Sequence, residues 1–158
     1  MSREPASDQE LDRLEDLLDA YFAEQLATLP LVLDVSRDED MARRWYVRLE
    51  AEVRDVTTLW FTLGQRTLKY ETYFLPAPVD DPAPLAEFLL RRNYELVGAQ
   101  FGIGPEDAFF LTGELPVHAV DAEELDRILG SLWEYVERYW PTALRLGFAS
   151  VLGANDRV

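Results

Sequence analysis

An α+β fold is predicted for this chain: a five-stranded antiparallel sheet with helices, in the order α-β-β-β-α-β-β-α. Three observations predict it. A 3.6-residue apolar period follows a helix cap near residue 7, period-2 segments follow with short connections, and a second long helical stripe comes after them. A parallel crossover needs a dozen or more residues, so the short connections imply antiparallel pairing. Runs of strands set apart from helices favour α+β over a doubly wound sheet.

Ser7-Asp8-Gln9-Glu10 has the capping-box pattern, in which Ser7 accepts from the third amide and Glu10 reaches back. Leu11, Leu14, Leu18 and Phe22 then recur at three- to four-residue spacing, with Tyr21 and Leu26 at the margins. The spacing predicts an amphipathic helix over about 8–28, ended before Pro30. Its acids Asp8, Asp12, Asp16 and Asp19 occupy the other side, and those in the first turn suit the helix dipole. Residues 29–43 are ambiguous. Leu31, Leu33 and Val35 alternate briefly, Ser36 to Asp40 reads as a polar turn, and no element is assigned here.

From Arg44 the period is 2. Trp45, Val47, Leu49 and Ala51 alternate with Tyr46, Arg48, Glu50 and Glu52, the pattern of a half-exposed strand. Val56 to Leu63 is β-branched and aromatic and makes a second strand. Gly64-Gln65 supplies the turn, and Thr67 to Leu75 makes a third strand, closed by Pro76 and Pro78. Asp80-Asp81-Pro82 starts a helix with an Asp cap and an early Pro. Leu85, Phe88 and Leu89 form its stripe, and it runs to Asn93. Leu96 to Ile103 is the fourth strand, around Val97, Ala99 and Phe101, and Gly104-Pro105-Glu106-Asp107 is a turn. Ala108 to Leu115 is the fifth strand. Asp121 with Glu124 starts the last helix, over 121–140, which buries Leu125, Ile128, Leu129, Leu132, Val136 and Tyr139 and has Pro141 at its end.

The 158 residues suit one domain, 1–158, able to build a core without staples. Hydrophobic residues at 48% exclude wholesale disorder. The absence of Cys excludes a disulfide scaffold, a thiol nucleophile and thiolate metal sites. No apolar run approaches membrane-spanning length, and Met1-Ser2-Arg3-Glu4-Pro5 lacks the layout of a signal peptide, so the cytoplasm is expected. A net charge of −15 argues against nucleic acid and anionic membrane as partners. Residues 1–40 hold twelve acids against three bases, an acidic head that either steers a basic partner or is a solvated helix face.

No motif carries catalysis. His118, the only histidine, sits in a loop beside the capping carboxylates Asp121 and Glu123, without a nucleophile to serve. Asp38-Glu39-Asp40 and Asp121-Ala122-Glu123-Glu124 lack the alternate spacing that wraps a hard cation. Gly102-Ile103-Gly104 lacks the third glycine and leads into a strand, where a dinucleotide fingerprint needs a helix N-terminus. No catalytic, cofactor-binding or metal-ligating residue is therefore nominated, no cofactor is expected, and the chain reads as no enzyme. Two features stand out. Arg92 falls on the buried stripe of the second helix, so its head either snorkels out or meets a carboxylate, with Glu71 a candidate. The other is the aromatic content: a sheet covered by helices on one face leaves aromatics such as Trp60 or Tyr73 on the other, which marks an interface, most simply with a second copy.

The stretches Tyr70-Glu71-Thr72-Tyr73-Phe74-Leu75-Pro76-Ala77-Pro78, Leu89-Leu90-Arg91-Arg92-Asn93 and Glu124-Leu125-Asp126-Arg127-Ile128-Leu129-Gly130 resemble the YbjN-like family. These are small bacterial proteins labelled sensory transduction regulators. The resemblance covers residues 44–148, the acidic helix at 1–28 being less distinctive. It implies a type III secretion chaperone-like fold, whose element order agrees with the order above, and no catalytic residues. Secretion chaperones are typically acidic homodimers that bind polypeptides. The expected function is therefore a non-catalytic protein-binding adaptor, chaperone-like or regulatory, acting as a homodimer. The alternative is a small-molecule sensor with an aromatic-lined pocket.

Overall fold

The computed structural model describes residues 4–155; Met1, Ser2 and Arg3, read above against a signal peptide, lie outside the described residues. Helix α1 (Asp8–Thr28) starts as its sequence predicts, with both capping-box bonds present, and buries Leu11, Leu14, Leu18, Tyr21 and Phe22. Leu29 and Pro30 end it.

The sheet has six strands, one more than expected. The extra strand, β1 (Val32–Arg37), comes from the ambiguous stretch. Its alternation is short, but antiparallel pairing with β2 (Arg44–Glu50) holds it, through Val35 opposite Val47 and Arg37 opposite Trp45. The polar turn between them is closed by Asp38, whose side chain accepts from the amides of Asp40 and Met41. Strands β3 (Val56–Leu63) and β4 (Thr67–Leu75) follow as predicted, joined across Gly64. Helix α2 (Pro82–Asn93) is capped by Asp81 and buries Leu85 and Leu89. Strand β5 (Gln100–Ile103) is shorter than the predicted 96–103, because α2 ends in a turn bonded back to Arg92 and Gly98 bends the chain at a φ of 74°. Strand β6 (Phe109–Pro116) lies between β4 and β5, giving the order β1-β2-β3-β4-β6-β5 with every pair antiparallel.

Helix α3 (Ala122–Asn155) buries Leu125, Ile128, Leu129, Leu132 and Val136 as expected, but does not stop at Pro141. Proline forfeits one amide bond there, yet the helix continues because Ala143 is fully buried and Leu144 and Leu146 pack on the core. The non-helical residue is Phe148. Just before it, the Gly147 carbonyl accepts instead from the amides of Val79 and Asp80.

The helices cover one face of the sheet. Phe22 of α1 lies 5.0 Å from Phe61 and 6.2 Å from Trp45, and Tyr139 of α3 lies 6.3 Å from Phe101. Three arginine clips hold the edges of this layer. Arg37 pairs with Glu15 and Asp19, and Arg43 pairs with Asp12 at 2.9 Å, so part of the acidic head pins α1 to the sheet. Arg54, between β2 and β3, donates to Thr57 Oγ1 at 3.1 Å and to the carbonyls of Phe74 and Tyr73 at 3.0 Å each, where the β4 register shifts. Gly113 on β6 has no room for a side chain: the Tyr70 ring and the Gly98 carbonyl occupy that space, and Tyr70 donates to Gly98 at 2.6 Å.

Candidate functional site

Among the described residues, the other face of the sheet carries no helix. Register brings Ser36, Tyr46, Trp60, Glu71, Thr112 and Gln100 into one row across all six strands. A second row places Arg44, Thr62, Lys69 and Glu114 side by side. Cross-strand contacts fix these side chains. Trp60 Nε1 donates to Glu71, Gln100 to Thr112 at 3.3 Å, and Arg44 Nε to Thr62 at 2.9 Å. Phe110 meets Tyr73 edge to face at 5.5 Å and Trp60 at 6.4 Å, so three aromatic rings from three strands hold one another in place. At the rim, Tyr46 donates to Asp38, which holds the Asp38 carboxyl below its ordinary value and pushes the Tyr46 phenol up.

Over this face runs an open trough of about 1020 Å³. Trp60, Glu71 and Thr112 form its floor, Arg44, Lys69 and Glu114 its charged margin, and the 96–99 segment one wall. Cations and anions flank a floor that carries the Trp60 ring, with Phe110 and Tyr73 beside it on the same face, a surface suited to an extended chain that offers both backbone polar groups and side chains. Two apolar hollows of about 210 and 150 Å³ lie elsewhere, one between α2 and β5 and one between α1 and α3.

The residues singled out in the sequence fall in several places. Trp60 and Tyr73 are on the uncovered face, as expected. Glu71 is there too, bound to Trp60, so it does not meet Arg92. Arg92 has instead its guanidinium 5.2 Å over the Phe88 ring, and among the described residues it has no ion pair and its Nε lacks a hydrogen-bond partner. His118 is exposed in a short 3-10 turn. Asp121 accepts from the Glu124 amide at 2.8 Å as a cap, and Asp38 is committed to its turn and to Tyr46. Gly104 lies in a turn bonded to Ala108. Among the described residues no three His, Asp or Glu side chains converge as a metal site would need, and no helix is long and apolar enough to cross a membrane. Two positions have no sequence signal of their role. One is Arg54, and the other is Asn93, whose side chain bonds both to the Phe101 carbonyl at 3.0 Å and from the Phe101 amide at 2.7 Å.

Comparison with known proteins gives consistent results. The family model YbjN, described as "Putative bacterial sensory transduction regulator", matches residues 10–145. An uncharacterized protein of Mycobacterium tuberculosis is 33% identical over 89 residues, 56% of this chain and 49% of that one. One of Mycobacterium leprae is 31% identical over 107 residues, 68% of this chain and 58% of that one. The chain thus spans about half the length of the curated relatives it matches. Among solved structures, a chain of the HopA1–SchA chaperone–effector complex aligns with a TM-score of 0.56 and 19% identity, covering 86% of this chain and 98% of that one. The structure of the Yersinia pestis type III secretion chaperone SycH with a stable fragment of YscM2 contains a chain that aligns at 0.50 and 15% identity, covering 77% and 95%. At these identities the likeness is one of fold.

Proposed function

The chain belongs to the YbjN family, and we propose that it is a non-catalytic protein-binding adaptor, chaperone-like or regulatory, that acts in the cytoplasm as a homodimer of single-domain subunits. The observation that carries this reading is the uncovered sheet face with its cluster of three aromatic rings and its charged trough. Covering such a surface with polypeptide removes the Trp60, Phe110 and Tyr73 rings from water, while the flanking charges supply register. The solved neighbours support the partner class, since both are named as complexes of a chaperone with another protein. A net charge of −15 disfavours nucleic acid and anionic membrane in that role. The alternative, a small-molecule sensor, draws less support. The trough is open and charge-lined, and the two apolar hollows of about 210 and 150 Å³ are smaller than the roughly 300–1,000 Å³ of ligand pockets.

The test is co-purification from a bacterial lysate with the full chain and two variants, Tyr73→Ser on the uncovered face and His118→Ala away from it. The expected result is a stoichiometric polypeptide retained by the natural chain and by His118→Ala but lost with Tyr73→Ser. Retention by all three, or a tightly bound small molecule in native mass spectrometry with no polypeptide, would overturn the reading.

A further inference from the structure

We propose that the trough selects an acidic segment of a partner polypeptide: a carboxylate seats on the row formed by Arg44, Thr62 and Lys69, and apolar side chains beside it cover the Trp60, Phe110 and Tyr73 rings. This rests on the adaptor reading above and names the chemistry of its partner. Register sets Arg44, Thr62 and Lys69 side by side on β2, β3 and β4. A hydroxyl thus stands between two cations carried by the neighbouring strands, about 5 Å away on either side. All three residues line the trough of about 1020 Å³. The Arg44 guanidinium is held by Thr62 Oγ1, 2.9 Å from its Nε, and by the Tyr46 phenol. Thr62 accepts in that bond, so its own O–H remains to donate. The row therefore offers guanidinium, hydroxyl and ammonium donors together, a set that suits a carboxylate.

Charge selects the occupant. The chain has two acids for every base, and arginines elsewhere find them: Arg37 pairs with Glu15, Arg43 with Asp12, Arg127 with Glu124 and Arg138 with Glu134. Arg44 and Lys69 enter no ion pair among the described residues. Two carboxylates of the same face are engaged otherwise, Asp38 by Tyr46 and its own turn, and Glu71 by Trp60. Glu114 stands opposite Lys69 in register without pairing with it, and it closes the row on the β6 side. A carboxylate brought by a partner gains both cations, whereas a lysine in the same place meets them as like charges. The net charge of −15 draws basic chains from a distance. At contact the row reverses that preference.

The test titrates the full chain with the blocked peptide acetyl-Ser-Val-Leu-Asp-Val-Leu-Ser-amide and with its counterparts carrying Asn or Lys in place of Asp. Binding is read from the Trp60 indole N–H resonance, which Trp60→Phe identifies. The Asp peptide is expected to bind about tenfold or more tighter than the Asn peptide, and the Lys peptide more weakly still. Arg44→Gln/Lys69→Gln should bring the Asp peptide down to the level of the Asn peptide. Lys69→Glu should invert the order of the Asp and Lys peptides, an inversion that loss of structure does not produce. Lys69 is exposed, so this variant carries the test alone if circular dichroism shows the double variant unfolded. Arg145→Gln, at an exposed cation on α3, should change nothing. Equal affinity for the Asp and Asn peptides, a preference for Lys, or an Asp preference that survives loss of both cations overturns this inference. So does a natural chain whose Trp60 resonance answers to no peptide, whether or not inorganic phosphate shifts it. The adaptor reading stands or falls separately, by the Tyr73→Ser retention above.

Discussion

Replacing Arg54 by Met removes three donated hydrogen bonds while keeping most of the apolar stem, so the change isolates the guanidinium. The three acceptors are not equal. The Tyr73 carbonyl is reached at the surface, where water replaces the lost donor. The Phe74 carbonyl keeps a second donor, Trp140 Nε1 at 3.2 Å. Thr57 is fully buried, and its Oγ1 loses the Arg54 donor outright. Each part-buried bond from a charged donor contributes about 1.5–3 kcal/mol. Against that stands the cost of burying the guanidinium, which desolvation marks by lowering its pKa. The net expectation for Arg54→Met is a loss of about 2 kcal/mol. Arg54→Lys should recover little of it, since an ammonium cannot present the fork that reaches two successive carbonyls. The assay is urea unfolding at one fixed protein concentration, because dissociation of a dimer would otherwise enter the difference. Trp140→Phe should couple to Arg54→Met by about 1 kcal/mol or more, because only the double variant strips the Phe74 carbonyl of both donors. A loss below about 0.5 kcal/mol for Arg54→Met, the range of ordinary surface changes, refutes the clip.

Two further outcomes are expected. Arg92→Met should shift stability by less than about 1 kcal/mol in urea unfolding, since Arg92 gives up only its stacking on Phe88 and an unpartnered Nε; a loss of 3 kcal/mol or more would require a buried ion pair. Asp80 accepts from Ser150 Oγ at 2.5 Å and from the Ser150 amide at 3.2 Å, which holds its carboxyl below the ordinary range. A lowered folded-state pKa contributes stability above the unfolded value of about 4 that is lost as pH falls through the folded value. Asp80→Asn should therefore lower the thermal midpoint at pH 7 and by progressively less as pH falls below about 4, and a difference that does not change with pH would refute the link.

Helix starts were legible because caps are local: Ser7 with Glu10, Asp81 before Pro82, and Asp121 before Glu124 form their bonds within three residues. The strands in the middle were legible because one face is buried against helices and the other is not. The misses have one cause in common, which is that a distant segment decided them. β1 is a strand because β2 lies beside it, and its own alternation is too brief to say so. α3 runs through Pro141 because Ala143 beyond it is buried, a fact set by packing. The Arg92 stripe was read from spacing, which gives the direction of a side chain but not its partner. Glu71 was a plausible partner until pairing with Trp60 placed it on the opposite face. The uncovered face was legible in outline, through Trp60 and Tyr73 facing away from their buried neighbours. The rows across six strands were not, because register depends on which strands become neighbours, and β6 inserts between β4 and β5.

An uncovered sheet that exposes aromatic rings invites aggregation, and this one counters that in two ways. On the face, the cluster of three rings is flanked by Arg44, Arg48, Lys69, Glu71 and Glu114, so no run of apolar side chains crosses more than three strands. At the edges, β1 presents Asp34 and Arg37, and β5 is occupied by Asn93. Unspecific strand addition is thus discouraged at both ends while the face itself stays wet and accessible. A surface kept open behind such guards suits a polypeptide that lies across the strands, and this is the physical content of the proposed adaptor reading.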